Sequence, residues 1–553
     1  MLSYDMSVHG EDPLYVHLCK CIRADIETGA IAPHEKLPSK RSLARNLDVA
    51  VVTVEAAYAQ LIAEGYLYAE ARRGYFACEL QRTKEAAVED EPRPLPCGAC
   101  PAPAVSPAEA RRAAAARPWM RDKVTRPIAA KTARPRFDLS PNAISADAFP
   151  LPLLTKALRD TLSLEPAETL TGAGDARGED RLRRAIAQHL RRTRGFAVDP
   201  DLIIVGAGSQ VLYNLIVQLL ERPACVAVEN PGYGRPTRVY EANGIPVERI
   251  PIDENGIDVD ALRAIDPPLV HTVPTHHFPT GIDMPASRRY ELLAWANEAP
   301  GRYIVEDDYD GEFRLAGKPL PTLASIDEDE RVIYVNTFSR ALGPAFRIAY
   351  LVLPRHLRDA FADKLGFYSC TLSAIDQLAL ARFVEHGDFE RFINRTKTRC
   401  RAARDVLIDA LAKTPAARHI SFENIDSGLH AILRIEAKSP EPQERNPAPR
   451  SEWRRPGMQA DRAAHRTRET TPDGSYADAR TRLEHALVQS LARQDVAVAA
   501  LSDFGDAPMP GADEKPTDTG RVSCRLVIGI AALHETRAKA AAEALWRGIA
   551  PFI

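Results

Sequence analysis

The sequence predicts a multidomain protein, a small α+β unit followed by a large α/β unit, and three observations predict it. Residues 13–78 read as short helices and a hairpin. From Phe137 onward, apolar strand-like runs alternate with amphipathic helices. Between these units, and again at 437–479, the chain lacks core-forming side chains. A length of 553 residues is too great for one ordinary domain, so a division of this kind is expected. The formal net charge of −3 excludes a protein that coats nucleic acid by bulk charge, while leaving room for a local basic patch. Nine cysteines do not make a secreted disulfide framework at this length. The start, MLSYDMSVHGED, has neither the basic nor the apolar region of a secretion signal. No apolar run approaches the roughly 18–20 residues of a membrane span. The expectation is a soluble, cytoplasmic protein with no membrane partner.

In the first unit, residues 1–79, Pro13 opens an amphipathic helix with Leu14, Leu18, Ile22 and Ile26 at four-residue spacing, stopped by Gly29. After the loop IAPHEKLP, Ser39 is the N-cap of a short helix through Leu47. A further helix runs from about Val51 to Glu64, burying Val54, Ala57, Tyr58, Leu61 and Ile62. GYLYAEARRGYFAC then alternates like a hairpin turning at Ala71-Arg72-Arg73-Gly74. The sum is a winged helix-turn-helix, which points to duplex DNA as partner. Arg41 and Arg45 lie on one helix face beside Lys36 and Lys40, Arg72 and Arg73 tip the wing, and Thr53 stands in the first turn of the recognition helix. Such a set neutralises phosphates on both sides of a groove while the recognition helix meets base edges.

Residues 80–136 hold nine prolines and only six Leu, Ile or Val side chains, too few to offset chain ordering, so they read as a linker with a basic second half. The stretch 437–479 contains no Leu, Ile, Val or Phe and reads as a polar insertion within the large unit, 137–553.

That unit alternates DLIIVGAG, SQVLYNLIVQLLE, CVAVENPGY, LVHTVPTH, RYIVEDDYD, VIYVNTFS and IAYLVLP. The pattern means a largely parallel sheet covered on both faces, with ligands beyond the carboxyl ends of its strands. Three shortcuts fail there. VGAGSQV has Val211 at the third glycine of a dinucleotide fingerprint, EDDYDG starts on Glu306 and lacks the acid a calcium loop needs at Gly317, and Cys97-Gly98-Ala99-Cys100 has no second ligand pair for zinc. No metal is expected. A phosphorylated heteroaromatic cofactor fits better. Ser209 and Gln210 begin a helix suited to phosphate, and Thr337, Ser339 and Arg347 add hydroxyls and a cation. Tyr233 is placed to stack on a ring, Asp307 to hold a pyridine nitrogen protonated, and Tyr309 to bond a phenolic oxygen.

Two stretches carry a family resemblance. The segment from PLYVHLCKCIRADIETG through LPSKRSLA to TVEAAYAQLIAEGYL resembles the GntR-type winged helix, although Ala50-Val51-Val52 replaces the usual Ser-Arg before Thr-Val. ENPGYGRPTRVYEANG, VPTHHFPTGIDMP, EDDYDGEFRLAGKPLPTLASID and YVNTFSRALGPAFRIAYLV resemble fold-type I pyridoxal 5′-phosphate (PLP) aminotransferases, in particular those fused to a GntR-type head in the MocR family of regulators. The resemblance implies Tyr233 as the ring-stacking residue, Asp307 as partner of the pyridine nitrogen and Tyr309 as partner of the 3-hydroxyl. Ser209, Gln210, Thr337, Ser339 and Arg347 become the phosphate cup, and Arg235 takes the position where some relatives bind an effector carboxylate. It also implies a homodimer.

One departure governs the functional expectation. The family's TFSKxL motif places its Schiff-base lysine where this chain has Arg340. A guanidinium keeps its proton above about pH 12 and cannot form the internal aldimine or shuttle the α-proton of transamination. The next lysines, Lys318 and Lys364, lie in other elements. Three functions compete: a DNA-binding regulator whose body dimerises and senses PLP or a small amine or amino acid, with the cofactor held non-covalently; a working aminotransferase with an accessory head; and a regulator whose body only dimerises. The winged helix and Arg340 oppose the second, and the complete phosphate cup favours the first over the third.

Overall fold

A computed structural model describes residues 4, 6, 12–70, 73–80, 135–315, 320–426, 428–438, 472–505 and 521–553, with side chains of the helix that starts at Pro472 described from residue 479. Most of the expected linker, with Cys97 and Cys100, lies outside these residues, as do Arg72 and residues 439–471 of the polar stretch. That stretch overlaps regular structure at both ends, since a strand runs through Lys438 and a helix begins at Pro472.

The head is a three-helix unit with a small sheet. Helix Leu14–Thr28 ends on Gly29, whose φ of +78° a glycine adopts at no steric cost. Ser39 caps helix Lys40–Asn46 by accepting the Ser42 amide at 3.2 Å, whereas Ala50 gives helix Val51–Ala63 no side-chain cap. Leu18, Ile22, Leu43, Val54, Tyr58 and Leu61 form its core. Ile62, expected on that buried face, is instead 37% exposed. The hairpin pairs Leu67–Glu70 with Gly74–Ala77, and Lys36–Leu37 adds a third strand from a segment read as loop.

The body is built on an eight-stranded sheet. Its order is Ile203–Gly206, Ala349–Val352, Val332–Thr337, Tyr303–Asp307, Leu269–Thr272, Val226–Asn230, Val247–Asp253 and Gly256–Ile257. Five neighbouring strands are parallel; Ala349–Val352 runs antiparallel to both of its neighbours. Alternation assigns the two faces. Ile204, Val305, Ile333 and Leu351 pack with the helices Ser209–Leu219 and Leu357–Leu365, while Ile203, Val205, Tyr334 and Val352 pack with Asp180–Arg194 and Ala374–Glu385. Burial on both sides explains why these runs are apolar throughout rather than alternating. A smaller layer holds the antiparallel strands Ile420–Glu423, His430–Lys438, Arg521–Gly529 and Ala499–Ala500 against helices Asp388–Ala412, Pro472–Ala492 and Glu535–Ile549.

The head touches the body through helix Ala286–Asn297. The Ala286 amide donates to the Glu64 carbonyl at 3.0 Å, and the hydroxyls of Tyr66 and Tyr290 both donate to Oε1 of Glu27, at 2.8 and 3.0 Å.

Candidate functional site

Beyond the carboxyl ends of the parallel strands lies a cavity of about 230 Å3. The strand ends and the loops after them deliver Ser209, Tyr233, Asp307, Tyr309, Thr337, Ser339, Arg340 and Arg347 to it, with Arg235 on its wall. Gln210 follows Ser209 in the first helical turn, but its side chain is not part of the lining.

One end is built for an anion. Ser209 opens helix Ser209–Leu219 after Gly208, so free amides of the first turn face this end. Arg347 lies across Gly208 and donates to the Ala207 carbonyl at 3.3 Å. Thr337 Oγ1 accepts the Ser339 amide at 3.1 Å, and Ser339 Oγ is buried with no hydrogen-bond partner. A buried hydroxyl left in this state is costly unless a ligand satisfies it, so these residues fit a phosphate.

The other end fits a pyridine. Asp307 is 5% exposed, and its Oδ2 accepts from the Tyr213 hydroxyl at 2.6 Å with His271 Nε2 at 3.5 Å. Tyr240 in turn lies 2.9 Å from His271 Nδ1. The Tyr213 hydrogen bond fixes the carboxylate's orientation. Burial, with Asp307 beside it, pushes the Tyr213 phenol well above its usual range, so it remains a donor. Tyr233 meets Phe278 edge-on at 5.6 Å and has the Arg235 guanidinium 5.8 Å from its ring centre. The Tyr309 hydroxyl donates to the His276 carbonyl at 2.9 Å and lies 3.4 Å from His430 Nδ1. Burial drives the His430 pKa down to about 4, so this imidazole stays neutral. Tyr213 and Phe278, which line the cavity, and His271, which stands behind Asp307, were not legible as site residues, because each joins the site through a contact between distant segments.

The acidic run Glu306–Asp310 resolves into separate tasks. Glu306 accepts the amides of Leu323 and Ala324, at 2.8 and 2.9 Å. Asp307 faces the cavity. Asp308 pairs with buried Arg194 and accepts from Tyr334 at 2.7 Å, and Asp310 meets His276 Nδ1 at 2.9 Å. The carboxylates point to different partners, and no metal-ligand cluster occurs among the described residues.

Arg340 sits in the short helix Ser339–Leu342, 8% exposed and on the cavity wall. Among the described residues, no lysine lines this cavity.

On the head, Arg41 and Arg45 are exposed. Lys40 is engaged with Glu55 at 2.7 Å and lies over the Tyr75 ring, and Arg73 pairs with Glu70 at 2.5 Å. Thr53 is half-buried. Among the described residues, Lys40 and Arg73 are paired within the fold, whereas exposed Arg41, Arg45 and Lys36 make no ion pair; Arg72 lies outside the described residues.

Residues 135–524 match the family model for aminotransferase class I and II, and residues 14–76 match that for bacterial regulatory proteins of the gntR family. The chain belongs to the aminotransferase class I and II family and carries a GntR-family winged helix ahead of that domain. It is 30% identical to the HTH-type pyridoxine biosynthesis transcriptional regulator PdxR of Corynebacterium glutamicum, over 77% of this chain and 84% of that one. It is 29% identical to the probable rhizopine catabolism regulatory protein MocR of Rhizobium meliloti, over 76% and 82%. The structure of Pyrococcus horikoshii kynurenine aminotransferase matches with a TM-score of 0.56 at 21% identity, covering 76% of this chain and 92% of that chain, and so shares the fold.

Proposed function

We propose that the protein is a DNA-binding transcription regulator whose body forms a homodimer and holds PLP without a covalent bond, as the sensor for a small amine or amino acid. The single observation that carries this reading is Arg340 on the wall of a cavity that otherwise presents a phosphate cup and a pyridine-binding carboxylate. Ser209, Thr337, Ser339 and Arg347 would hold the phosphate, Asp307 the ring nitrogen, Tyr309 the 3-hydroxyl and Tyr233 the ring face. When bound, PLP supplies an aldehyde that reacts reversibly with amines. The chain's own part is to bind and orient it, because a guanidinium at position 340 offers no nucleophile. The GntR-type head and relatives named as transcription regulators support regulation over catalysis.

The test combines equilibrium dialysis against PLP with borohydride reduction and intact mass. Retained PLP with no mass adduct is expected, together with an absorbance band of bound aldimine in Arg340→Lys alone. A reduced adduct in the native protein would overturn the non-covalent assignment. Failure to retain PLP in either form would leave a body that only dimerises.

A further inference from the structure

We infer that Arg340 selects among phosphorylated pyridines by the charge at ring position 4, accepting a carboxylate best and rejecting a protonated aminomethyl group. This rests on the cofactor reading above. A ring held by its nitrogen at Asp307, its 3-hydroxyl at Tyr309 and its 5-phosphate at Ser339 and Arg347 has position 4 opposite the nitrogen, between the last two anchors. Arg340 follows Ser339 in the chain and lines the same cavity. Its charge acts on both Tyr309 and Tyr233.

Arg340 is 8% exposed, its Nε is buried without a hydrogen-bond partner, and among the described residues no carboxylate lies within ion-pair distance of it. Asp310, an acid its charge reaches, meets His276 at 2.9 Å through Oδ1, while its Oδ2 is buried without a hydrogen-bond partner and makes no ion pair with Arg340. A buried cation without a carboxylate in direct contact is costly, and arginine cannot shed the cost by deprotonating. An anionic oxygen at position 4 removes that penalty and gains a charge-assisted hydrogen bond. An ammonium there sets two like charges together in a partly dehydrated space. The residue that removes lysine chemistry thereby becomes the specificity element.

The experiment is calorimetric titration of the full-length protein with pyridoxal 5′-phosphate, pyridoxamine 5′-phosphate and 4-pyridoxic acid 5′-phosphate. The carboxylate should bind tightest and the amine at least about tenfold more weakly than it. In Arg340→Gln that gap should close to within about threefold, chiefly by loss of carboxylate affinity. Equal affinity of the native protein for amine and carboxylate overturns the inference while leaving the cofactor reading intact. So does a gap that persists in folded Arg340→Gln. Binding of none of the three compounds removes the cofactor reading and this inference with it. Should Arg340→Gln not fold, the ranking in the native protein decides.

Discussion

A Cβ placed on Gly208 would overlap the Arg347 guanidinium, at a residue whose φ is +90°. The glycine is therefore what lets the cation lie against the start of helix Ser209–Leu219. In Gly208→Ala, Arg347 must move, and a charge-assisted hydrogen bond of about 1.5–3 kcal/mol to bound phosphate is lost or distorted. PLP affinity should fall about tenfold or more with DNA affinity unchanged, as read by parallel titrations; unaltered PLP binding would remove Arg347 from the cup. His430 gives a second prediction at this scale. Burial lowers its folded pKa to about 4, against about 6.5 for an unfolded histidine. Its contribution is present above pH 6.5 and is lost as pH falls toward 4, because the unfolded chain takes up the proton first. His430→Leu should therefore lose less stability than the native protein between pH 7 and pH 5, by about 2 kcal/mol in denaturant titrations. Equal losses in the two proteins would show that His430 does not titrate between these states.

Local chemistry made the head's helices legible. Proline, glycine and serine mark their ends, and four-residue spacing marks their buried faces. Ser39→Ala removes the Ser42 amide's partner and should cost the head about 1 kcal/mol, seen as faster amide exchange across Lys40–Asn46. Exchange unchanged from native would mean that Ser39 adds nothing as a cap. What escaped reading depends on pairing at a distance. Lys36–Leu37 becomes a strand only because Tyr75 and Phe76 lie opposite it, and nothing in AYLV states that it runs antiparallel. The site divides in the same way. Asp307 and Thr337 were readable at strand ends, whereas Tyr213 joins Asp307 across 94 residues. The head's charges were legible as residues but not as free or paired. With Lys40 and Arg73 held by Glu55 and Glu70, Arg41 and Arg45 should carry most of the phosphate contact. Their double alanine variant should bind all DNA sequences more weakly, with a salt slope shallower by about two. An unchanged slope in filter binding would move the DNA contact off this helix.

The head's place on the body joins two units that the sequence separates by more than fifty residues. Gly65 packs tightly against the body: a Cβ there would lie 2.6 Å from Pro285 Cβ and 2.8 Å from the Ala286 amide. Its φ of +78° would be strained in any other residue, so a substitution acts in two ways. Gly29 separates them, having the same φ of +78° with nothing within 4 Å of its missing Cβ. Gly29→Ala should lower the stability of the head by about 1 kcal/mol and leave its docking alone. Gly65→Ala carries that strain and also breaks the seat formed by Glu64, Pro285 and Ala286. A ligand in the body reaches DNA only by favouring one head placement over another, since equal affinity for both shifts nothing. The docked state is one such placement, and releasing it should uncouple the body from the head. Small-angle scattering should show a larger radius of gyration for Gly65→Ala than for Gly29→Ala or the native protein. PLP or an amine effector should then alter operator affinity in the native protein and in Gly29→Ala but not in Gly65→Ala. If Gly65→Ala keeps both the native scattering profile and the native response, the contact at helix Ala286–Asn297 plays no part in signalling.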